Sequence, residues 1–485
     1  MKITEIHHNI LIYGSGDAGI QSVNVLKLSK ISKIIGFIDD DQSKIGKKID
    51  NYQIFSFESI PMLKQKYNVT KIIICIPSLG LNKKKKLIGK LEKYKLEILS
   101  LPKLEDLYTG KVSINDFKTL NINDLIDREI VVSKSLILNK IKDKVIFITG
   151  AGGSIGSELS KQIIKYNPKK IILLDNSEIN IFMLSRALSI LKKKFNSVEI
   201  IFLLVSIQDV GRLRYFFELY KPEIVFHAAA YKHVNILEYS IVEAINNNVL
   251  GTLNLVELSV EFKIKNFVLI SSDKAVRPIN IMGVTKRISE MILQSYASKN
   301  ELNNDVDFAI VRFGNVIGSS GSVTPLFLEQ IKNGGPITVT HKEVTRYFMS
   351  VYEAASLVIE TILLSKGGEL FILDMGEPIK IVDLAKKMIK LSGLTEKNNS
   401  NPNGDIEIIY IGLQPGEKLH EELLLGDNLV KTNNINIFKS KDKYIDLNEL
   451  NEFLIKLKFS TKNYNENEII SLIKNYVKEF NYQIN

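Results

Sequence analysis

Short apolar runs of four to six residues recur along the chain, and most end at glycine, at an acidic residue or at a polar loop. Runs of this length are typical of buried parallel strands when longer amphipathic stretches separate them. They occur as two series. The first lies at residues 9–13, 33–38 and 71–76, and the second at 145–148, 170–174, 199–204, 224–227, 266–270 and 308–312. The sequence therefore predicts an α/β protein with two Rossmann-like, doubly wound parallel-sheet domains.

The two series set the predicted domain organisation. The first domain covers residues 1–110, and the polar, weakly periodic residues 111–143 are expected to be a linker that packs on the next domain. The second domain covers 144–426, and from about residue 312 its pattern loosens into short strands and helices, as in a smaller substrate-binding lobe. The last segment, 427–485, is rich in Asn and Lys and carries two amphipathic helical stretches.

A glycine-rich loop follows the first strand of the first domain. Residues 14–19 read GSGDAG, a G-x-G-x-x-G motif at the start of a predicted helix, and the next strand ends at Asp39, about 20 residues further on. Such glycines let the chain turn tightly and direct backbone N–H groups toward a phosphate. By pattern alone the loop would bind a dinucleotide. Because no catalytic residues follow it in this domain, a structural or regulatory role is the favoured interpretation and nucleotide binding is the alternative.

A second glycine loop, TGAGGSIG, opens the second domain in a more complete context. Gly150 is placed to make the turn, Gly153 to allow close approach to a pyrophosphate, and Gly156 to pack the helix on the strand. The next strand ends at Asp175, whose carboxylate can accept hydrogen bonds from both ribose hydroxyls and would repel a 2′-phosphate. This pattern predicts NAD rather than NADP. The small residues at 228–230 leave room for the cofactor backbone.

The sequence at 271–286, SSDKAVRPINIMGVTK, has the composition of an active site. It begins where the predicted strand 266–270 ends, and open α/β sheets place their ligands at such strand ends. Met282 and Lys286 are four residues apart and share one face of the helix that follows. Alone, an Asp-Lys pair after a strand is often a helix cap with a solvated lysine, and a methionine at helical spacing is usually core filler. Together with the nucleotide-binding pattern, these residues favour an active site.

Charge narrows the possible partners. The chain has 485 residues and a formal net charge of +10, from lysines spread along its length. The densest run, KKKK at 83–86, predicts a solvated helix face, with contact to an anionic membrane surface as the alternative. No basic stretch is interleaved with aromatic residues, which argues against nucleic acid, and the positive charge suits a phosphorylated small substrate.

Cysteine, histidine and hydropathy patterns point to a cytoplasmic protein without a metal. Cys75, the only cysteine, lies in an apolar run, so a buried, inert thiol is expected and an intrachain disulfide is impossible. The six histidines lack metal-ligand spacing with Cys, Asp or Glu. No run approaches the roughly 18–20 apolar residues of a membrane span, and the N-terminal residues lack a signal-peptide pattern.

Several motifs occur in an order typical of one family. They are TGAGGSIGSEL (149–159), AAAYKHV (228–234), SSDKAVRPINIMGVTKR (271–287), RFGNVIGSSGSVTPLF (312–327), TRYFMS (345–350) and PGEKLHEEL (415–423). Together they resemble the nucleotide-sugar 4,6-dehydratases of bacterial polysaccharide and protein-glycan biosynthesis, which belong to the extended short-chain dehydrogenase/reductase superfamily and act on UDP-N-acetylglucosamine. The resemblance covers about residues 111–424. The first domain resembles the one that precedes the catalytic domain in long, membrane-anchored members.

The sequence departs from the family pattern at four points. Long members have transmembrane helices before the first domain, and none is predicted here. Met282 occupies the superfamily's catalytic tyrosine position, as it does in the long subgroup. Gln414 stands where an R-P-G-E-K motif has arginine, which weakens the assignment of a diphosphate contact there. Ser206 stands where short relatives have an aspartate near the adenine.

The resemblance implies a redox-neutral reaction in which NAD stays bound. Hydride passes from C4 of the sugar to the cofactor, water is eliminated across C5 and C6, and hydride returns to C6. The product would be a UDP-2-acetamido-2,6-dideoxy-4-keto-hexose for surface polysaccharide or glycan assembly. The relatives also imply a homo-oligomer, either a dimer or a larger assembly.

Residue roles follow from the same resemblance. Lys286 would hold the nicotinamide ribose, Asp273 would handle the C4 and C6 oxygens, and Ser272 would hydrogen-bond O4. Lys274 would be the base at C5, with its pKa depressed by burial near Lys286. Met282 cannot be a base, since it has no exchangeable proton.

The remaining assignments are binding residues. The expected substrate contacts are Lys232, Asn315, Arg346 (facing the diphosphate), Gln414 and Glu417. The expected cofactor contacts are Gly150, Gly153, Ser154, Ile155, Gly156, Asp175, Ser206, Ile207, Ala228, Ala229, Ala230, Asn248, Ser271 and Lys286.

Two other functions compete with dehydration. A nucleotide-sugar epimerase or dehydrogenase on the same fold would need only one base, so the Asp273-Lys274 pair would be superfluous, and Met282 argues against the ordinary 4-epimerase mechanism. A catalytically silent NAD-binding sensor or scaffold would fit Met282 and the additional N-terminal nucleotide fold.

Overall fold

The computed structural model describes residues 8–27, 32–76, 79–100, 118–119, 128, 130–300, 306–319, 321–423 and 429–482. These residues form two compact units. The first contains the described residues of Met1–Arg128, Val323–Lys342 and Lys380–Ile411, and the second those of Glu129–Ser322, Glu343–Ile379 and Gly412–Asn485.

The elements are numbered in chain order. The strands are β1 (His8–Tyr13), β2 (Ser32–Ile38), β3 (Lys48–Ile49), β4 (Tyr52–Phe55), β5 (Val69–Ile74), β6 (Glu97–Ser100), β7 (Lys118–Thr119), β8 (Val145–Thr149), β9 (Lys170–Asp175), β10 (Glu199–Leu204), β11 (Ile224–His227), β12 (Asn266–Ile270), β13 (Asp307–Arg312), β14 (Asn315–Ile317), β15 (Ile337–Val339), β16 (Thr345–Arg346), β17 (Phe348–Ser350), β18 (Glu369–Leu373), β19 (Ile379–Lys380), β20 (Glu396–Lys397), β21 (Ile406–Tyr410), β22 (Val430–Lys431) and β23 (Ile437–Ser440).

The α-helices are α1 (Asp17–Lys27), α2 (Ile60–Tyr67), α3 (Leu81–Leu91), α4 (Lys134–Ile141), α5 (Ser154–Ile163), α6 (Glu178–Lys194), α7 (Val210–Tyr220), α8 (Val234–Leu237), α9 (Ile241–Ala244), α10 (Gly251–Glu261), α11 (Ile281–Asn300), α12 (Val323–Lys332), α13 (Val351–Leu364), α14 (Ile381–Leu391), α15 (Leu447–Lys462) and α16 (Glu466–Tyr476). A π-helical turn occupies Ile245–Leu250, and a 3₁₀ turn occupies Asp273–Ala275.

The first unit is built on a seven-stranded sheet in the order β3-β4-β2-β1-β5-β6-β7. Strands β4, β2, β1, β5 and β6 run parallel, and the short strands β3 and β7 are antiparallel at the two edges. Leu11 and Ile12 of the central strand β1 are fully buried in different apolar clusters, because successive side chains of a strand point to opposite faces. The prediction of a Rossmann-like first domain is confirmed.

Two later segments of the chain belong to this first unit. Helix α14 buries Leu391 in the same apolar cluster as Leu11, and its Lys387 pairs with Glu92. Strands β15, β21 and β20 form a separate three-stranded sheet. The sequence placed these segments in a lobe that continues the second domain, and the compact units divide the chain differently. The amphipathic pattern of a helix shows that it buries one face, but not which core receives that face.

The second unit is built on a nine-stranded sheet in the order β10-β9-β8-β11-β12-β13-β18-β23-β22. Strands β10 to β18 in this order run parallel, and β23 and β22 are antiparallel at one edge. The first six strands follow the order 3-2-1-4-5-6 of dinucleotide-binding sheets. The predicted α/β fold class is confirmed in this unit as well.

Two layers of helices cover this sheet. Helices α7, α10, α11, α15 and α16 contribute to the apolar cluster on one face, and α4, α5, α6 and α13 to the cluster on the other. Strand β8 shows the division, since Phe147 packs in the first cluster while Ile146 and Ile148 pack in the second. Strands buried on both faces read as continuous apolar runs, which is why the sequence located them well.

The segments at the two ends of the second unit differ from the predicted linker and the predicted C-terminal tail. Part of the predicted linker 111–143 lies outside the described residues, but its last part forms α4, whose Ile137 and Ile141 are fully buried. The C-terminal segment has two helices, α15 and α16, as predicted. It also adds β22 and β23 to the sheet, so it is part of the core of the second unit and not a separate tail.

A buried ion network joins the sheet, helix α11 and the C-terminal segment. The guanidinium of Arg312, at the end of β13, donates from Nε and Nη2 to the carboxylate of Glu290 on α11 at 2.7 and 2.5 Å. Its Nη1 lies 2.6 Å from Oδ2 of Asp442, which precedes α15. All three side chains are at most 1% exposed. Burial alone would lower the pKa of Arg312, but the charges of Glu290 and Asp442 outweigh burial and raise that pKa.

The same network reaches the end of β12 and the last described residues. The hydroxyl of Ser271 donates to Oε1 of Glu290 at 2.5 Å. Arg287, also on α11, donates to Oε2 of Glu290 at 3.3 Å and to Oε1 of Glu479 at 2.6 Å, and it pairs with the carbonyl of Lys443. The C-terminal segment therefore fixes α11 against the edge of the sheet where β12 ends.

The structure also bears on three features raised by the composition, namely the cysteine, membrane-spanning helices and metal-binding side chains. Cys75 is buried, as predicted, and burial raises the pKa of its thiol to about 12. Within the residues that the structure describes, no helix combines the length and the apolarity needed to cross a bilayer. Within those same ranges, no group of three or more His, Cys, Asp or Glu side chains is arranged to hold a metal ion.

Asp442→Asn is expected to destabilise the second unit by about 3–5 kcal/mol, because it leaves the buried guanidinium of Arg312 with one counter-charge fewer. The measurement is the free energy of unfolding in a urea titration. Glu452→Gln is the matched control, since Glu452 pairs with Lys456 on the exposed face of α15 and surface pairs contribute only about 0.2–1 kcal/mol. Equal losses in the two variants would contradict the importance of the buried network.

Candidate active site

The loop between β8 and α5 is built for close backbone approach. Gly150 has a φ of +62°, and a Cβ there would lie 2.6 Å from the backbone nitrogen of Ala229. A Cβ at Gly156 would lie 2.1 Å from the carbonyl oxygen of Gly150, so α5 could not pack as closely on the loop. Gly153 precedes α5 and donates its N–H to the carbonyl of Gly150 at 3.0 Å. The loop therefore has the geometry of the predicted pyrophosphate site.

Neighbouring residues could hold other parts of a dinucleotide. Ser154 and Ile155 open α5, and the first-turn N–H groups of a helix form a phosphate-binding position. Asp175 ends β9 and is buried; its Oδ2 accepts from the N–H of Gly152 at 3.0 Å and its Oδ1 from the N–H of Ser177 at 2.9 Å. These two bonds fix the carboxylate beside the glycine loop, and a carboxylate has further lone pairs for ribose hydroxyls.

The other predicted cofactor residues also lie at the carboxyl ends of the parallel strands. Ser206 follows β10, and its Oγ accepts from the N–H of Gln208 at 3.2 Å. The side chain of Ile207 packs on Gly251 at the start of α10, where a Cβ would come within 2.7 Å of it. Residues 228–230 follow β11 directly. The carboxyl ends of β8, β9, β10 and β11 thus bring these residues to one side of the sheet.

A buried histidine next to the glycine loop was not singled out from the sequence. Nδ1 of His227 lies 2.8 Å from Oγ1 of Thr149, and its Nε2 lies 2.9 Å from Oγ1 of Thr252. Since Thr252 donates its own hydroxyl to the carbonyl of Asn248, Nε2 carries the proton and Nδ1 accepts from Thr149. Burial, assisted by the charge of Lys286, lowers the pKa of His227 to about 3, so the ring is neutral. It links β8, β11 and α10, and nothing in its sequence spacing marks that role.

Asn248 lies on the π-helical turn and connects the loop after β11 to α11. Its Oδ1 accepts from the N–H of Tyr231 at 2.8 Å, and its Nδ2 donates to the carbonyl of Tyr231 and to Oγ1 of Thr285, both at 3.0 Å. Thr285 donates in turn to the carbonyl of Met282 at 2.7 Å. Single π turns often mark functional sites because the extra residue redirects side chains. The side chain predicted as a cofactor contact therefore holds the loop after β11 and helix α11 together.

Ser272, Asp273 and Lys274 follow β12 as predicted and form a compact polar group. The hydroxyl of Ser272 donates to Oδ1 of Asp273 at 2.9 Å. The ammonium group of Lys274 donates to the same Oδ1 at 3.1 Å and to Oδ1 of Asn315 at 3.4 Å, and it lies 3.4 Å from Oε1 of Glu421. The carboxyl group of Asp273 is fully buried. The predicted acid–lysine pair is thus in place, together with two partners from later in the chain.

The environment of Lys274 corrects one expectation. Burial lowers the pKa of this lysine, but the charges of Asp273 and Glu421 outweigh burial and raise the pKa above its ordinary value, with Arg346 opposing them. The expectation of a pKa depressed by burial near Lys286 is therefore wrong. The sequence could not show it, because Glu421 reaches Lys274 only through the fold.

Glu421 is the main site residue that the sequence analysis missed. Its side chain is buried and faces Lys274, and burial raises the pKa of its carboxyl group. Asp273 raises that pKa further, while the positive charges of Lys274, Arg346 and Lys418 oppose it. The signal was present in the motif PGEKLHEEL, from which only Glu417 was selected.

Helix α11 presents Met282 and Lys286 as predicted. Both are buried, and Met282 belongs to the apolar cluster on one face of the sheet. Burial lowers the pKa of Lys286 to about 8, and the charge of Glu290 opposes that shift. A Cβ at Gly283 would lie 2.2 Å from the carbonyl oxygen of Lys274. The first turn of α11 therefore lies directly against the 3₁₀ turn that carries the acid–lysine pair.

Three of the five predicted substrate residues form one cluster. Nη2 of Arg346 donates to Oε1 of Glu417 at 2.9 Å, and Oε2 of Glu417 accepts from the N–H of Gln414 at 3.2 Å. Asn315 lies instead with the acid–lysine pair. Lys232 lies in the loop after β11, and burial lowers the pKa of its ammonium group.

The glycine loop of the first unit differs from this site in its charges. The carboxylate of Asp39 accepts from the N–H groups of Ser15 and Asp41 at 2.8 and 3.0 Å, as the acid of the second unit does from its own loop. In the first unit the hydroxyl of Ser15 also bonds to Asp39. Asp17, in the first turn of α1, puts a negative charge where a phosphate would bind. This arrangement favours the structural interpretation of the first loop.

The second unit combines a dinucleotide-type glycine loop, an acid–lysine pair and a lysine on the next helix at one edge of its sheet. Fold and site together have the organisation of a dinucleotide-dependent enzyme of the short-chain dehydrogenase/reductase type.

Comparison with known proteins identifies the family of the chain. The family model described as "Polysaccharide biosynthesis protein" matches residues 146–442. Over 420 residues the chain is 43% identical to the capsular polysaccharide biosynthesis protein CapD of Staphylococcus aureus and 41% identical to the probable polysaccharide biosynthesis protein EpsC of Bacillus subtilis (strain 168). Each match covers 85% of this chain and 68% of the relative. The chain belongs to this polysaccharide biosynthesis family.

A similar fold occurs in a solved structure. The X-ray structure of Pen from Bacillus thuringiensis aligns with a TM-score of 0.55 and 34% sequence identity, over 65% of this chain and 99% of Pen.

Gly283→Ala is expected to destabilise the second unit by about 1–3 kcal/mol, because the added methyl group must displace the carbonyl of Lys274. Gly211→Ala is the matched control, since Gly211 lies in helix α7 and the nearest atom to its added Cβ would be 3.6 Å away. There alanine should stabilise the helix by about 0.5–1 kcal/mol. The measurement is the free energy of unfolding, and the same sign of change in both variants would contradict this packing.

Lys286→Met is expected to stabilise the protein at neutral pH, since it removes an ammonium group that burial disfavours. The pKa of Lys286 is about 8 in the folded chain, against about 10.4 for a free lysine, so the protonated form costs up to about 3 kcal/mol of stability. The cost is present below about pH 8 and disappears as the pH rises toward the unfolded pKa. Unfolding curves across this range should therefore converge for the wild type and the variant. A constant difference would contradict the assigned environment.

Proposed function

We propose that the chain catalyses NAD-dependent 4,6-dehydration of UDP-N-acetylglucosamine to a UDP-2-acetamido-2,6-dideoxy-4-keto-hexose for surface polysaccharide or glycan assembly. The observation that carries the proposal is the acid–lysine pair after β12, where Asp273 and Lys274 contact each other. Oxidation at C4 requires one proton acceptor, and elimination across C5 and C6 requires a second proton-handling group. The paired residues supply both.

The glycine loop and its surroundings support NAD as the cofactor. Gly150, Gly153 and the first turn of α5 would hold the pyrophosphate, Asp175 the adenosine ribose, and Lys286 the nicotinamide ribose. When bound, NAD supplies an acceptor for hydride from C4 and a donor for its return to C6. The positive charge of Lys286 also keeps nearby acids ionised, because opposite charges favour the charged form.

Asp273 has the environment of a group that accepts and returns one proton. Its Oδ1 accepts from Ser272 and Lys274, and among the described residues its buried Oδ2 has no hydrogen-bond partner. A free carboxylate oxygen in a buried position can take the proton of the C4 hydroxyl and later give it to the departing C6 hydroxyl. Ser272 would hydrogen-bond O4 beside it.

The other groups divide between C5 chemistry and substrate binding. Lys274 would take the C5 proton, which the C4 ketone acidifies. The guanidinium of Arg346 would face the diphosphate of the substrate, and the carboxylate of Glu417 holds that guanidinium in place. Met282 contributes no proton and fills the apolar side of the site.

The proposal is tested by incubating the purified protein with UDP-N-acetylglucosamine and NAD in D₂O and following the sugar by proton NMR and mass spectrometry. Loss of one water, a new C6 methyl signal and deuterium at C5, without accumulated NADH, is the expected result. Asp273→Asn should slow product formation by about 10²–10⁴-fold, the usual contribution of general acid–base catalysis. Glu422→Gln, a change at a partly exposed residue that pairs with Arg277, should match the wild type.

Other results would replace this function with another. An isomer of unchanged mass, apart from deuterium, would identify an epimerase, and accumulated NADH a dehydrogenase. Bound NAD with no change in any UDP-sugar would identify a sensor or scaffold.

A further inference from the structure

Lys274 is not a free base in the resting site. Its ammonium group lies 3.1 Å from Oδ1 of Asp273, 3.4 Å from Oε1 of Glu421 and 3.4 Å from Oδ1 of Asn315. Releasing its proton to solvent would leave two carboxylates buried without their counter-charge, which is strongly unfavourable. If Lys274 is the base at C5, its proton must first move to a group within the site.

Two carboxylates are close enough to take that proton. In the proposed reaction Asp273 already carries the proton of the C4 hydroxyl when C5 is deprotonated, so it cannot accept another. Glu421 is free to accept. Its Oε2 is buried and, within the described ranges, has no hydrogen-bond partner, and burial favours the neutral form of its carboxyl group.

We propose that Glu421 takes the proton of Lys274, so that the ammonium–carboxylate pair becomes an amine–carboxylic acid pair before C5 is deprotonated. The inference rests on the proposed 4,6-dehydration. Glu421 acts through Lys274 and need not contact the sugar. It is therefore a positioning residue, which holds the proton of Lys274 while C5 is deprotonated. The short distance between Nζ and Oε1, 3.4 Å, allows direct transfer after a small movement.

Protons and electrons balance over the reaction. One proton passes from Nζ of Lys274 to Oε1 of Glu421, and the free amine then takes the proton from C5. The electron pair of the broken C5–H bond forms the C5=C6 double bond as the C6–O bond breaks, and the oxygen leaves as water with the proton held by Asp273. When hydride adds to C6, the electron pair returns to C5, which takes its proton back from Lys274. The proton on Glu421 then returns to the amine, and no co-reactant other than NAD is needed.

The charged groups around the pair come from three elements. Asp273 lies on the 3₁₀ turn after β12, Arg346 on β16, and Lys418 on the segment that also carries Glu421. Proton transfer within the pair leaves the total charge that these groups face unchanged. Formation of the amine therefore requires no proton exchange with solvent, and the C5 step should depend little on pH.

The test measures, between about pH 6 and pH 9, the rate at which enzyme-bound NADH disappears in a single turnover with UDP-N-acetylglucosamine, because this decay contains the C5 step. At this stage Asp273 still carries the proton of the C4 hydroxyl and cannot accept another from Lys274. The wild-type rate should be nearly independent of pH. In Glu421→Gln the proton of Lys274 must leave to solvent, so the rate should be lower and should rise about tenfold per pH unit. Glu422→Gln, the adjacent and partly exposed control, should keep the wild-type profile.

If the wild type is active, either of two results would overturn this inference without overturning the proposed function. They are a flat profile in Glu421→Gln at the wild-type rate, and a loss in Glu421→Gln that is equal at every pH, which indicates packing only. Glu421→Asp retains a carboxyl group and should restore a flat profile at a reduced rate. If Glu421→Gln does not fold, this aspartate variant decides, and a pH-dependent rate in it would overturn the inference.

The amplitude of the same NADH signal distinguishes this inference from the proposed function. In a single turnover with UDP-N-acetylglucosamine, Glu421→Gln should still oxidise C4 and accumulate up to one NADH per site, because only the next step is impaired. Absence of that burst in an active background would overturn the inference. A wild type that dehydrates no nucleotide sugar would overturn the proposed function itself.

Discussion

The bidentate contact between Arg312 and Glu290 fixes the geometry on which the active site depends. Arg312 ends the sixth parallel strand, and Glu290 lies one turn beyond Lys286 on α11. Glu290 also holds the hydroxyl of Ser271, at the start of the turn that carries the acid–lysine pair. Two parallel hydrogen bonds between planar groups define both distance and orientation. One buried ion pair, itself balanced by Asp442 from the C-terminal segment, therefore helps to fix the turn after β12 relative to helix α11.

The two lysines of the site show how local charge decides chemistry within a few residues of sequence. Lys286 is buried with only Glu290 to oppose desolvation, and its pKa falls to about 8. Lys274 is also buried, but Asp273 and Glu421 raise its pKa. Lys286 is therefore positively charged near neutral pH, although burial disfavours its charged form. Lys274 is instead part of an ion pair. In the proposed reaction Lys274 becomes a base when Glu421, which lies in a distant part of the sequence, takes its proton.

The contrast between local and distant contacts also explains what the sequence could predict. The strands, the glycine loop and the residues between Ser271 and Lys286 are local features, and their apolar runs and spacings located them within a few residues. Several parts of the site depend on contacts between segments far apart in the chain. Glu421 reaches the lysine of the catalytic turn, Asp442 reaches the end of β13, and α14 packs in the first unit. Periodicity shows that such segments bury a face or a charge, but not which partner receives it.

Met282, at the position of the superfamily's catalytic tyrosine, changes which residues of the site handle protons. Met282 packs in the apolar cluster of α11 and cannot carry a proton, so in the proposed reaction the helix supplies charge through Lys286 and close packing through Gly283. The proton-handling groups gather on the turn after β12, where Asp273 and Lys274 are adjacent in the chain. Oxidation at C4 alone would need only one of them. An elimination that follows the oxidation needs a second, because one group still holds the first proton when the next is removed. The loss of the tyrosine is therefore compatible with dehydration as long as the lysine can be made neutral inside the site.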